Sequence, residues 1–144
     1  MAELAEERAT KLAHDFGEGA DPLGRQKAYR LATVVVERTW HDSSILYRHG
    51  ITRTIADQLY RSAGSIGANF AEGYSRSSGR DRVRLLEYAL GSARECRFWY
   101  RAGSHVLPAE HVGIQANYLN EICRLLMSTI PRDRDRLIRA EKRV

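Results

Sequence analysis

The chain has 144 residues, of which 43% are hydrophobic, and its net charge is +5. This length and composition favour one domain with a single hydrophobic core, and no apolar run is long enough to span a bilayer. Because the N-terminal residues 1–19 lack the apolar stretch of a secretion signal, we expect a cytoplasmic protein. Cys96 and Cys123 lie outside any CxxC motif and are interpreted as reduced, buried thiols.

The first third of the chain predicts two helices. Residues 2–15 have the apolar spacing of a short amphipathic helix, which we interpret as a loosely attached arm. Asp21 followed by Pro22 is a typical helix start, and the next helix is predicted to run from there to the low forties. Residues 42–50 are predicted to be a connection.

The second main helix is predicted over residues 52–73, because apolar side chains recur there at helical spacing and Gly73 is a typical helix end. It contains two mid-helix glycines, Gly64 and Gly67. Each costs roughly 1 kcal/mol relative to Ala. We therefore predict that they allow close packing against Gly91 and Ser92 of the third helix.

Two further helices complete the pattern. The third is predicted over residues 79–104, with Ser78 as its cap and Asp81 reaching back to it. The fourth is predicted to begin at Pro108 and to end at Pro131. The charge-dense residues 132–144 are predicted to be frayed or a mobile helix.

This pattern predicts an all-α fold, an up-down-up-down antiparallel four-helix bundle with an extra N-terminal arm or short helix. Residues 1–21 hold six acidic and two basic residues, and residues 132–144 hold six basic and three acidic residues. The domain prediction is therefore an acidic N-terminal arm (1–21), the bundle (22–131) and a basic C-terminal tail (132–144).

The third helix has more apolar faces than a monomer needs. Leu86, Ala89, Ala93, Cys96 and Tyr100 share the face predicted to be the core. Aromatic side chains outside that face predict an oligomer interface. Its residues are Tyr88, Glu95, Phe98 and Trp99. The alternative is that the N-terminal arm or the C-terminal tail covers them within the same chain.

Two motifs carry a family resemblance over residues 23 to about 131. The first reads RSAGSIGANFAEGY and supplies Arg61, Ser65, Ile66, Asn69, Ala71, Glu72 and Gly73. The second lies in the third helix and supplies Ala89, Gly91, Ser92 and Glu95. The chain resembles the small bacterial four-helix-bundle proteins encoded in intervening sequences of large-subunit ribosomal RNA genes.

The resemblance implies a left-handed antiparallel bundle that assembles into a ring, most simply a homopentamer, and it implies no enzymatic role. A related bundle is the accessory protein of diversity-generating retroelements, a basic pentameric barrel that works with a reverse transcriptase and RNA. That second likeness is at the level of the fold alone.

The polar members of the motifs have two interpretations. Asn69, Glu72 and Glu95 are predicted to form a buried hydrogen-bond network that sets the helix register, with a catalytic carboxylate pair as the disfavoured alternative. The sequence shows no phosphate-binding loop and no histidine spacing typical of a metal site, so we expect no cofactor and no metal. A small helical ribonuclease is disfavoured because Arg101 and His105 are too close in sequence.

Basic side chains near the second loop and along the third helix are the candidate nucleic-acid contacts. They are Arg76, Arg80, Arg84, Arg94 and Arg101. Contacts of this kind to phosphates are salt-dependent and tolerant of sequence. The alternative is a solvated arginine face that forms ion pairs with nearby acids such as Glu87.

The sequence therefore predicts a non-enzymatic, homo-oligomeric helical-bundle scaffold that presents a basic surface to a partner. The alternative function is an RNA- or DNA-binding accessory factor.

Overall fold

The computed structural model describes residues 2–144, and these residues form helices and turns without a strand. The five α-helices are α1 (Ala2–Asp15), α2 (Lys27–Arg48), α3 (Arg53–Tyr74), α4 (Gly79–Gly103) and α5 (Ala109–Glu141). Short 3-10 turns at Pro22–Arg25 and Gly50–Thr52 precede α2 and α3.

Helices α2 to α5 form the bundle. Consecutive helices pack against each other, and α2 also contacts α5, which closes the bundle around one core. The predicted core face of α4 is confirmed, because Leu86, Ala89, Ala93, Cys96 and Tyr100 are each at most 2% exposed. The all-α, up-down-up-down prediction is therefore confirmed.

The predicted short N-terminal helix is confirmed as α1, which lies against the outside of the bundle. Ala9 is buried, Arg8 Nε donates to Glu37 Oε2 at 2.7 Å, and the Tyr118 hydroxyl donates to Glu6. These contacts attach the acidic arm to α2 and α5.

The predicted limits of the helix that starts at Asp21 and Pro22 were wrong at both ends. Asp21 does cap a helix, since its side chain accepts from Leu23 N, but that helix is the short 3-10 turn. Helix α2 then continues to Arg48 through residues predicted to be a connection. The helix continues because Asp42 and Leu46 are both buried. This burial stabilises the helical conformation more than the polar composition of the segment disfavours it.

The prediction that the last helix ends at Pro131 was also wrong, since α5 continues through it to Glu141. Contacts with the start of α4 explain the continuation. Leu137 packs against Gly79, where a Cβ would lie 2.3 Å from Leu137 Cδ2. Ion pairs join Arg134 to Glu87 and Arg80 to Glu141. Together these contacts offset the cost of an interior proline, about 3 kcal/mol.

The predicted glycine contact between α3 and α4 is not present. A Cβ on Gly64 or Gly91 would meet no described atom within 4 Å, and one on Gly67 would approach α2 instead, 3.9 Å from Ala32 Cβ. The glycine that does allow close approach is Gly73, where a Cβ would lie 3.2 Å from Leu85 Cβ. Small side chains on both helices are fully buried, namely Ala63 of α3 and Ala89 and Ala93 of α4.

Pro131→Ala should stabilise the protein by about 1–3 kcal/mol, because it restores a helical N–H and removes the ring clash in the middle of α5. Urea unfolding followed by circular dichroism measures the change. Arg132→Ala, at the next exposed position, is the matched control and should stay within about 0.5 kcal/mol. An unchanged or lower stability of Pro131→Ala would mean that α5 is bent there for a packing reason.

Candidate functional site

The residues predicted to form an oligomer interface lie along the outside of α4. Tyr88 and Phe98 are 54% and 59% exposed, while Trp99 is half-buried and packs at the edge of the core. The Trp99 and Phe98 rings meet edge to face at 5.0 Å, and Trp99 Nε1 donates to Glu95 Oε1 at 3.1 Å. Glu95, Phe98 and Trp99 thus contact each other, and the exposed Tyr88 lies about two turns before Glu95 on the same helix. We call these four residues the α4 surface.

Neither end of the chain covers the α4 surface. Helix α1 lies against α2 and α5, and the C-terminal part of α5 reaches only the first turns of α4. The alternative of cover within the same chain is therefore wrong for Tyr88 and Phe98. Gly91 lies on the same outer side of α4, between these two aromatic residues in sequence, and its α-carbon faces open space.

A second aromatic surface joins α2 and α3, and the sequence analysis missed it. Trp40 is 65% exposed and meets Tyr60 edge to face at 5.7 Å. Nearby, the Arg53 guanidinium lies 5.5 Å from the centre of the exposed Tyr47 ring. We call these four residues the α2–α3 surface. Helical periodicity alone does not separate the edge of a core from an outer face, so it does not mark Trp40 as a surface residue.

The five predicted nucleic-acid arginines are all exposed, and three of them form ion pairs. Arg76 pairs with Glu72, Arg84 pairs with Asp81 at 3.1 Å, and Arg80 Nε donates to Glu141 at 3.0 Å. Exposed pairs of this kind contribute little to stability, but they reduce the local positive charge.

The other two arginines, Arg94 and Arg101, have no carboxylate within ion-pair distance among residues 2–144. Arg94 instead donates to the Met127 sulfur at 3.5 Å. Arg101 and His105 are both exposed at the end of α4, where nothing joins them into a catalytic pair.

The motif residues Asn69, Glu72 and Glu95 do not form the predicted buried network. Asn69 donates to the Ser65 carbonyl, one turn earlier, at 2.8 Å. Glu72 and Glu95 are exposed; Glu72 pairs with Arg76 in the loop after α3, and Glu95 accepts from Trp99 on its own helix. Their polar groups are satisfied locally, so they set no register between helices.

The buried polar network lies elsewhere and joins α2, α4 and α5. The Tyr100 hydroxyl donates to Asp42 Oδ2 at 2.8 Å, and Gln115 Nε2 donates to that hydroxyl at 2.6 Å. Thr39 Oγ1 lies 3.0 Å from the same hydroxyl and accepts from Gln115 at 3.1 Å. All four residues are at most 2% exposed.

His111 continues the network to the surface. Its Nδ1 lies 2.6 Å from Asp42 Oδ1, and because a carboxylate only accepts, Nδ1 is the donor. Its ring stands 5.7 Å from that of His41, beside a pocket of about 180 Å³. The sequence analysis missed this cluster because its members are up to 76 residues apart and have no motif spacing.

Burial controls the acid–base behaviour of this core. It raises the pKa of Tyr100 well above its ordinary value, and the Asp42 charge adds to the rise. Burial also raises the pKa of the Cys96 thiol to about 12. Both groups therefore stay protonated at neutral pH, which agrees with the interpretation of Cys96 as an inert, buried thiol.

Comparison with protein families decides the family. The family model of the 23S rRNA-intervening sequence protein matches residues 25–128. The chain belongs to this family. The family region contains the whole Asp42 network and the α4 surface, whereas α1 and the final turns of α5 lie outside it.

A solved relative agrees with the family assignment. The crystal structure of a Bacteroides thetaiotaomicron protein of unknown function from the S23 ribosomal protein family is similar to this chain, with a TM-score of 0.67 and 26% identity. The match covers 72% of this chain and 97% of the relative. A comparison with curated proteins gave no match.

The described residues contain neither a helix suited to cross a membrane nor a cluster suited to hold a metal ion. No helix there has the length and apolar character that crossing a membrane requires. In the same part of the chain, no group of three or more histidine, cysteine and acidic side chains is placed to hold a metal ion.

Tyr100→Phe should destabilise the protein by about 1–3 kcal/mol, because it leaves the buried Asp42 Oδ2 without its donor. Tyr88→Phe removes the same hydroxyl at an exposed position and should change stability by no more than about 0.5 kcal/mol. Urea unfolding of the two variants measures both values. Equal effects would show that the network contributes no net stability.

Proposed function

We propose that the protein is a non-enzymatic, homo-oligomeric scaffold that assembles into a ring through its two aromatic surfaces. The observation that carries this proposal is the exposure of aromatic side chains on two separate faces of one small bundle. Exposed aromatic clusters are enriched at protein interfaces, where they supply most of the binding energy.

The α4 surface has the features of a close helix contact. Tyr88 and Phe98 offer apolar area, and Gly91 leaves the backbone of α4 open between them. A mid-helix glycine costs roughly 1 kcal/mol relative to Ala, and no contact within the described protomer uses it. A second chain that approaches α4 closely would explain why the residue is glycine.

The α2–α3 surface supplies a different partner face. Its Trp40 and Tyr60 border a groove of about 470 Å³ between the two helices. Contact between two unlike surfaces is head-to-tail, and such contacts close into rings when the rotation between subunits permits. We propose that the α4 surface of one subunit occupies the α2–α3 groove of the next, in a ring of five subunits.

The scaffold proposal assigns no catalytic residue. The ring would repeat the exposed Arg94 and Arg101 in every subunit and present them as a basic surface to an acidic partner. Repetition multiplies a charge pattern that is weak in a single subunit.

Phe98→Glu should dissociate the oligomer, because it places an unpaired charge at the centre of the proposed contact. Ile51→Glu changes an equally apolar residue, 87% exposed and outside both surfaces, and is the matched control. Light scattering over the micromolar range measures the molar mass in solution. The wild type and Ile51→Glu should have the mass of an assembly, and Phe98→Glu should have the monomer mass of 16.4 kDa. A wild type that is monomeric throughout contradicts the proposal.

The alternative function is that of an RNA- or DNA-binding accessory factor, and Arg94 and Arg101, which have no acidic partner among residues 2–144, favour it. Against it, Arg76, Arg80 and Arg84 each have an acidic partner. A chain that neutralises several phosphates loses affinity steeply as salt increases. The salt dependence of binding therefore separates the two functions.

We expect generic single-stranded RNA and duplex DNA to show no binding at about 0.15 M salt, where exposed charges are screened beyond about 8 Å. Fluorescence anisotropy with labelled oligonucleotides measures this across a salt series. Tight binding at this salt concentration would favour the nucleic-acid function over the scaffold function. In that case Arg94→Ala and Arg101→Ala should abolish binding, and Arg48→Ala should leave it intact.

A further inference from the structure

The pocket beside His111 lies where α1 meets α2 and α5. Leu4, Ala5 and Arg8 of α1 line one side, and Arg38, His41, Asp42 and Glu37 of α2 and His111 of α5 complete the lining. Its volume is about 180 Å³. The α1 side is formed by residues outside the family region, so the pocket depends on the N-terminal helix of this chain.

Arg38 is a buried residue of this pocket whose Nε has no hydrogen-bonding partner. Its side chain is only 7% exposed, and it makes no hydrogen bond or ion pair with the described residues. Its Nε is fully buried without a partner. A buried donor without a partner is costly, since buried polar atoms in proteins are normally hydrogen-bonded.

The acidic groups of the pocket are already engaged by other residues. Asp42, one turn after Arg38, accepts from His111 and Tyr100 through its two oxygens. Glu37 pairs with Arg8 at 2.7 Å. Neither carboxylate forms an ion pair with Arg38, whose guanidinium lies in a pocket that two imidazole rings also line.

We propose that this pocket binds a small organic anion, whose carboxylate or phosphate group pairs with Arg38. The planar guanidinium fork suits both oxyanions, because it can donate two parallel hydrogen bonds to them. His41 and His111 flank the anionic group, and Leu4 and Ala5 contact the apolar part of the ligand. This site is independent of the proposed ring, because none of its residues belongs to either aromatic surface.

Helix α1 gives the site its second wall. The Arg8–Glu37 pair and the Tyr118–Glu6 hydrogen bond hold α1 across the pocket. A ligand that contacts both Arg38 and Leu4 therefore stabilises the docked position of α1, and binding should protect α1 from proteolysis.

The test follows the histidine ring signals by proton–carbon NMR while benzoate, phenyl phosphate or inorganic phosphate is added at constant ionic strength. We expect benzoate or phenyl phosphate to shift the His41 and His111 signals in a saturable manner and to leave the exposed His49 and His105 unchanged. Stronger binding of benzoate identifies a carboxylate ligand, and stronger binding of phenyl phosphate identifies a phosphate ligand.

Arg38→Gln should weaken binding at least tenfold, whereas Arg48→Gln, at an exposed position of the same helix, should leave it unchanged. Leu4→Trp provides a variant that does not alter the bundle core, since Leu4 is 64% exposed, and its larger side chain should block the pocket. If Arg38→Gln fails to fold, Leu4→Trp decides the test.

Three results overturn the proposal. The first is that neither benzoate nor phenyl phosphate shifts His41 or His111, whatever inorganic phosphate does. The second is that folded Arg38→Gln binds as tightly as the wild type. The third is that Leu4→Trp leaves binding unchanged.

Discussion

The hydrogen bonds that join Asp42, Tyr100 and Gln115 hold α2, α4 and α5 in one relative position. Each of these buried groups costs about 1–3 kcal/mol when it loses its partner. Sliding any one of the three helices by a turn would break several of these bonds at once. The apolar core alone is less selective, because alanine and leucine side chains pack acceptably in more than one register. The polar network therefore favours one register of α2, α4 and α5.

The outer faces follow from that register. Once Tyr100 points inward from α4, Phe98 and Gly91 must point outward, because an α-helix turns by 100° per residue. On α2, the inward direction of Thr39 and Asp42 turns Trp40 to the surface. The same constraint places Arg38 and His111 on either side of one pocket. Both aromatic surfaces and the pocket thus depend on one set of buried bonds.

Periodicity predicted the helices and the α4 core face because both depend on local spacing. It failed at Pro131, where contacts with α4 outweigh the local preference of the residue. It also failed for the polar groups. Asn69 and Glu72 are clustered in sequence, yet each is satisfied by a residue four positions away in the chain. The residues that meet in space, Asp42 and Gln115, are far apart in the chain, and no local pattern marks them.

The proline inside α5 divides a geometrically continuous helix into two parts with different stabilities. Pro131 has no N–H, so the hydrogen-bond ladder is interrupted at that residue. The part before it is anchored in the core by Ile122, Leu126 and Ile130. The part after it depends on Leu137 and on exposed ion pairs with α4. Its amide hydrogens should therefore exchange through local opening while the bundle stays intact, so the last turns of α5 form a separate cooperative unit.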